Sequence, residues 1–206
     1  MRVPFVKLTG CCRVCGRAVE GLEDEFLCTD CSGAFKPHFD RAASALRFEG
    51  LARDMINGFK FRREFSLRDD FADWLEAAAR ARLDVSAVDV VLPMPLTFFH
   101  RWDRGYNQSA CLARVLAARI GRRYDGRVLV RTGSPKRQST LNEVDRRENV
   151  KGTVAVRRPA WVRGRTVLVV DDIMTTGSTL SESARVLKLA GASRVWCATV
   201  ARSIRN

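Results

Sequence analysis

The sequence predicts an α/β fold, an open and mostly parallel sheet flanked by helices, joined to a small four-cysteine zinc module at its N-terminus. Three observations carry this prediction. Short, continuous apolar runs alternate with helix-period segments from residue 84 onward, two Cys-x-x-Cys pairs stand within the first 35 residues, and the apolar run at 167–170 ends in two carboxylates and a hydroxyl-rich turn. Runs that are apolar at successive positions, not at every second one, are what strands buried on both faces by β-α-β crossovers require.

Residues 1–38 hold the cysteine pairs, with Gly16, Gly21 and Gly33 at turn positions and no sustained period of either kind. Cys12 and Cys15 form one pair and Cys28 and Cys31 the other, with twelve residues between them. Two such turns bring four thiolates around one structural Zn²⁺ and leave no open position for catalysis. Cys11 adjoins the first pair and is an alternative ligand, whereas Cys111 and Cys197 fall on apolar patterns as core residues. His38 and His100 read as surface or loop residues. Seven cysteines is an odd number, and the paired spacing points to metal binding in a reducing compartment, hence a cytoplasmic protein. The segment before Cys11 resembles a lipoprotein cleavage box only superficially, because Arg2, Pro4 and Lys7 leave no apolar stretch ahead of it.

Residues 39–83 are expected to form a helical linker or hood. Leu46, Leu51, Met55, Ile56 and Phe59 recur at helical spacing broken at Gly50 and Gly58, which predicts short helices. Phe71, Trp74, Leu75, Ala78 and Arg82 follow the i, i+3, i+4, i+7 pattern of an amphipathic helix whose aromatic stripe faces a core.

Residues 84–206 are the main domain. Strands are predicted at 88–92, 127–130, 153–156, 166–170 and 195–200, with helices from about 108 to a stop at Gly121 and over 178–190. Ligands of open α/β sheets sit outside the carboxyl ends of the strands, which places 93–108 and 171–179 at one rim.

The second of these segments carries the sharpest chemistry. A loop feeding a helix N-terminus presents free backbone N–H groups, and Thr175, Thr176, Ser178 and Thr179 add hydroxyls that would wrap a phosphate monoester. Gly177 allows close approach. Asp171 and Asp172 would repel a bound phosphate unless they receive hydroxyl groups and a hard cation offsets the charge, a requirement met by a ribose diol with Mg²⁺. No lysine follows the glycine, so a P-loop ATPase is disfavoured. In the first segment, Pro93 and Pro95 fix a turn, Arg101 and Arg104 beside Gly105 suit a pyrophosphate, and Asn107 is placed to cap the following helix. Taken alone, Asn107 is only a cap and the arginines are solvated. The polar stretch 134–149, with Lys136, Arg137, Gln138, Arg146 and Asn149, has the length and composition of a lid.

Residues 167–179 resemble the PRPP-binding motif of type I phosphoribosyltransferases nearly position for position. That resemblance implies that 175–179 cradle the 5-phosphate of 5-phosphoribosyl-1-pyrophosphate and that the acidic pair faces its ribose hydroxyls. The chain as a whole resembles the ComF family of competence-associated proteins, GntX-like members included, through the cysteine pairs, Gly58-Phe59-Lys60-Phe61, Arg104-Gly105-Tyr106-Asn107-Gln108, Gln138 with Leu141, Arg146 and Asn149-Val150-Lys151-Gly152. The family implies a PRPP- and Mg²⁺-binding phosphoribosyltransferase fold, a glycosyltransferase activity with an unread acceptor, and an association with DNA uptake in natural transformation. Asp171 and Asp172 would then stabilise an oxocarbenium-like centre, with Arg137 and Arg146 closing over the leaving group. The alternative is a non-catalytic PRPP sensor that binds single-stranded DNA and a competence helicase or replication-restart partner.

A formal charge of +13 and a pI near 10.2 agree with polyanionic ligands. Arginine outnumbers lysine 30 to 6 and is spread along the chain, which compositional drift would also produce. No run of about 18 apolar residues exists, so no membrane span is expected.

Overall fold

The computed structural model describes residues 3–6, 9–19, 24–33, 36–97, 105–133 and 150–203. Its strands are β1 (Arg41–Arg47), β2 (Val90–Pro93), β3 (Arg123–Tyr124), β4 (Leu129–Arg131), β5 (Val154–Val156), β6 (Thr166–Met174) and β7 (Arg194–Arg202). The helices are α1 (Thr29–Ser32), α2 (Gly50–Asn57), α3 (Leu67–Arg82), α4 (Gln108–Arg119) and α5 (Ser178–Leu189). Five strands pair in parallel in the order β1-β7-β6-β2-β3, and β4 pairs antiparallel with β5 beside them.

The core lies on both faces of this sheet. Along β6, Leu168 and Val170 face a cluster with Phe59, Phe71, Leu75, Leu112 and Leu116, while Val167 and Val169 face a second one with Leu180, Leu187 and the four paired cysteines. All four β6 residues are fully buried. Successive side chains of a strand point to opposite faces, so burial on both sides turns an alternating pattern into a continuous apolar run. Each such side chain stabilises the fold by about 1.5–3 kcal/mol relative to exposure. The chain has the type I phosphoribosyltransferase fold, with a cysteine cluster appended at the N-terminus.

Two expectations are corrected. The stretch predicted as short helices opens instead with β1, an edge strand whose register sets Ala43 opposite Ala198 and Leu46 opposite Ala201. Its alanines favour a helix by intrinsic propensity, but tertiary packing overrides it. Ala43 and Ala45 admit the helical face, Ala42 admits the cysteine module, and the buried Ser44 Oγ lies 2.7 Å from Thr199 Oγ1. Helices do follow, as α2 and then a π-helical turn over Gly58–Arg62. The second correction concerns β6, which does not stop before its carboxylates. β7 continues beside it, pairing Asp171 with Thr199 and Met174 with Arg202, so the acidic pair lies within the last part of the strand.

Two predicted helix boundaries match. Asn107 caps α4, its Oδ1 accepting from the Ala110 N–H at 3.2 Å, and Gly121 follows the helix at φ 65°.

Candidate functional site

The ends of β2 and β6, the start of α4 and the loop into α5 meet at one rim. Ser109 Oγ donates to Asp171 Oδ1 at 2.8 Å, and the Asp172 N–H donates to the same oxygen at 2.9 Å. Gln108 Nε2 donates to Asp172 Oδ2 at 2.8 Å, while Lys60 Nζ stands 2.9 Å from Asp172 Oδ1. Burial first, and the neighbouring Asp172 charge second, push the Asp171 carboxyl up to about 7. The pair is held by α4 on one side and by the π turn on the other.

Five residues beyond Asp172, the chain turns into α5 through Gly177, whose φ of 76° favours a residue without a side chain. Thr176 Oγ1 lies 2.7 Å from Ser178 Oγ and accepts from the Ser178 N–H at 3.3 Å. The first-turn N–H groups of a helix lack intrahelical acceptors, so they and these hydroxyls form a cup for an anionic oxygen cluster. Thr175 is exposed and Thr179 half-buried beside it. The predicted residues Asp171, Asp172, Thr175, Thr176, Gly177, Ser178 and Thr179 are thus brought together.

At the other predicted loop, Asn107 spends both amide atoms on the fold, since its Nδ2 donates to the Met94 carbonyl at 3.1 Å. Gly105, at φ 75°, lies against the Arg63 guanidinium: a Cβ there would come within 2.8 Å of it. Arg101, Arg104, Lys136, Arg137, Gln138, Arg146 and Asn149 lie outside the described residues. Next to this loop opens a cleft of about 1030 Å³, onto which Arg68, Arg114, Arg127, Arg131 and Arg157 face. Among the described residues Arg131 Nε and Nη1 are buried without a hydrogen-bond acceptor, and burial lowers the pKa of this guanidinium. The one carboxylate lining the cleft among the described residues, Asp125, is engaged by Arg158 at 3.0 Å and by the Arg127 N–H at 2.7 Å. An anion is the ligand such a lining favours.

The four paired cysteines meet as the spacing requires. Sγ atoms of Cys12, Cys15, Cys28 and Cys31 all lie within 4.8 Å of one another, and those of Cys15 and Cys28 are 3.7 Å apart. A tetrahedral site with metal–sulfur bonds of about 2.3 Å has sulfur–sulfur edges of about 3.8 Å. Hydrogen bonds from Cys15 and Cys31 hold the Cys12 thiol low; giving those bonds pushes Cys31 up, and Cys15 up to about 11. Four buried sulfurs cannot all ionise in so small a volume without a cation, so the set fits a divalent metal ion. Cys11 stands apart, its thiol directed to the Thr9 carbonyl. Two buried arginines hold the module down: Arg82 Nη2 donates to the Cys12 carbonyl at 2.9 Å, and Arg202 donates to the Cys15 carbonyl and to Met174 Sδ. Between the module and the phosphate cup lies a second cleft of about 330 Å³, with Cys15, Cys31 and Phe39 on one wall and Thr176, Ser178 and Ser181 on the other.

Sequence reasoning did not assign Lys60, Gln108, Ser109 or Arg131 to the site. Lys60 and Gln108 stand in the motifs that carry the family resemblance, which is the signal that singles them out; Ser109 and Arg131 carry none, being an ordinary helix residue and a strand end.

A strand-loop-helix cup beside two carboxylates at the rim of a parallel sheet defines a phosphoribosyltransferase-type protein. Consistently, the family model described as the phosphoribosyl transferase domain matches residues 107–205. The chain is 28% identical over 206 aligned residues to DNA utilization protein YhgH of Escherichia coli (strain K12), covering 91% of this chain and 89% of that protein. It is 28% identical to Competence protein F of Haemophilus influenzae, over 92% of this chain and 84% of that one. An adenine phosphoribosyltransferase of Mycobacterium marinum is 33% identical over 46% of this chain and half of its own length. Over about nine-tenths of its length, the chain is thus similar to proteins named for DNA utilization and competence, and it carries the phosphoribosyl transferase domain. Among solved structures, the allosteric regulatory enzyme of purine biosynthesis overlaps 65% of this chain and 25% of its own at 21% identity and a TM-score of 0.43. An adenine phosphoribosyltransferase from Thermoanaerobacter pseudethanolicus overlaps 69% and 83% at 16% identity and a TM-score of 0.42.

Proposed function

We propose that the rim binds 5-phosphoribosyl-1-pyrophosphate and Mg²⁺ as a phosphoribosyltransferase site, and that the cysteine module holds a structural Zn²⁺. The observation that carries this reading is the juxtaposition of the Asp171–Asp172 pair with the Thr176–Ser178 cup around the N-terminus of α5. The 5-phosphate takes its hydrogen bonds from the loop hydroxyls of Thr175, Thr176, Ser178 and Thr179 and from the backbone after Gly177. The ribose hydroxyls donate to Asp171 and Asp172, which also stabilise positive charge developing at C1 as its bond to pyrophosphate lengthens. Arg131, with two buried N–H groups lacking an acceptor among the described residues, faces the departing pyrophosphate together with Arg101, Arg104 and the turn at Gly105. Asn107 acts by fixing that turn. Lys136, Arg137, Gln138, Arg146 and Asn149 belong to the lid that excludes water. When bound, Mg²⁺ would offset pyrophosphate charge, with the buried Gln108 Oε1, unpartnered among the described residues, as a hard oxygen donor of this chain, while Asp171 and Asp172 serve the ribose hydroxyls.

The acceptor enters opposite the pyrophosphate. Carried over from relatives named for DNA utilization and competence, the pathway is the handling of incoming DNA in the cytoplasm. A second reading, a PRPP sensor that binds single-stranded DNA and docks a helicase or replication-restart protein, is favoured by the cleft of five arginines. One assay separates the two. Purified protein is incubated with Mg²⁺, PRPP and a panel of nucleobases, amines and single-stranded DNA, and pyrophosphate release is followed. Release above that of Asp171→Ala supports the transferase, saturable binding without release supports the sensor, and the absence of both overturns the site itself.

A further inference from the structure

The acidic pair is not open to solvent cations. Lys60 Nζ lies 2.9 Å from Asp172 Oδ1, and the two side chains are 14% and 8% exposed. Withdrawing both partners of an ion pair from water carries a desolvation penalty, so a surface lysine does not settle there by default. The backbone that delivers it carries further unfavourable features. Gly58–Arg62 is a π turn continuing α2, and Arg63 at its end has a φ of 57°, the one positive value at a non-glycine residue among those described. A left-handed residue of this kind costs about 1–2 kcal/mol.

Neighbouring contacts fix the turn in this state. Tyr106 Oη donates to the Phe59 carbonyl, and the buried Phe59 ring makes edge contacts with Phe71 and Tyr106 at 5.5 and 5.9 Å. A Cβ at Gly58 would come within 2.2 Å of the Glu64 carboxylate, so that side chain would have to move. Local strain held in place by surrounding structure concentrates where a side chain must be presented in one position. Here that position is Asp172, whose other oxygen is taken by Gln108, a residue 2% exposed whose own Oε1 is buried and, among the described residues, unpartnered.

We propose that the Lys60 ammonium is the resident counter-cation of the acidic pair, holding at Asp172 the place a divalent ion would otherwise take. The inference rests on the reading of this pair as the sugar-facing part of the site. It makes Lys60 a positioning residue: the carboxylates meet the ligand's hydroxyls already charge-balanced, and the metal requirement falls on the pyrophosphate end.

Mn²⁺ alone, titrated into the full-length protein and followed by the paramagnetic resonance of the free ion, tests the claim without any sugar ligand. Lys60→Met is expected to bind one Mn²⁺ at least ten-fold more tightly than the wild type, because an oxygen-only set is left. Lys60→Arg should behave as the wild type, and Lys60→Met with Asp172→Asn should lose the gain. Equal Mn²⁺ affinity in wild type and Lys60→Met, or a gain that survives Asp172→Asn, overturns the proposal. Circular dichroism checks folding, and Lys60→Gln serves if the methionine variant fails. As a second readout, ribose 5-phosphate in EDTA should bind Lys60→Met at least ten-fold more weakly than wild type and Lys60→Arg within about three-fold. If no variant binds ribose 5-phosphate while the Mn²⁺ gain appears, the sugar-phosphate reading fails and the role of Lys60 stands. If all bind it alike and Mn²⁺ affinity is unchanged, the reverse holds.

Discussion

At Asp171, burial and a neighbouring carboxylate act in the same direction, raising its pKa from 3.8 to about 7. A carboxyl whose folded pKa lies above its unfolded one binds its proton more tightly in the folded state. Its contribution to stability is therefore complete below pH 3.8 and is lost as pH rises through 7. Without ligand, Asp171→Asn should unfold at a temperature that gains on the wild type as pH rises from about 4 to 7 and levels off above it. Thermal melts at four pH values check this, and a constant gap would contradict it. Gly177 gives a second prediction at this scale. Its φ of 76° strains any other residue, yet a Cβ would meet Met174 and Phe39 only at 3.7 Å. Gly177→Ala should thus cost about 1–2 kcal/mol in denaturant unfolding and leave the fold intact. The hydroxyl loop and the acidic pair were legible because they are contiguous in sequence. Lys60 and Ser109 were not, because nothing in a linear pattern says that residues so far apart meet Asp172 and Asp171.

Elements were legible where their burial pattern is one-sided or complete. The stripe of α3 and the continuous run of β6 each match one period, and the structure buries Phe71, Leu75 and Ala78 of the first and Val167, Leu168, Val169 and Val170 of the second. β1 was misread because its small residues are selected by close packing on both faces, a demand that looks like helix propensity in isolation. β3, two residues long, is held by pairing with Val90 and Val91 and has no pattern of its own. Arg82 shows how an element can serve its neighbour: at the end of α3 it reaches the Cys12 carbonyl instead of water. Arg82→Met leaves that carbonyl with the Gly16 N–H as its hydrogen-bond donor, so the loss should cost about 0.5–1.5 kcal/mol. It should also speed release of bound Zn²⁺ to a chelator. Unchanged release with unchanged stability would show that the arginine is incidental.

For the whole molecule, the cysteine module is part of the second core face, packed with Phe39, Met174 and Leu180. Metal binding to such sites stabilises small modules by about 10–16 kcal/mol in apparent terms. Chelation should therefore make backbone exchange fast across residues 9–19 and 24–33, while β6 and β7 stay protected by the parallel sheet. Among the described residues no helix is long and apolar enough to cross a membrane. The charge of +13 makes salt a second lever. If the arginine cleft tracks a phosphate backbone, retention on single-stranded DNA must fall steeply as salt rises.

A single titration bears most directly on the claim that the carboxylates of β6 and the turn into α5 form one receptor for a sugar phosphate. PRPP with Mg²⁺ is added to the protein in a calorimeter, and hydrogen exchange is read at residues 171–179 in the same samples. Saturable heat together with slowed exchange confined to that segment is the predicted result. No heat and unchanged exchange there, with the cysteine module intact, would contradict it.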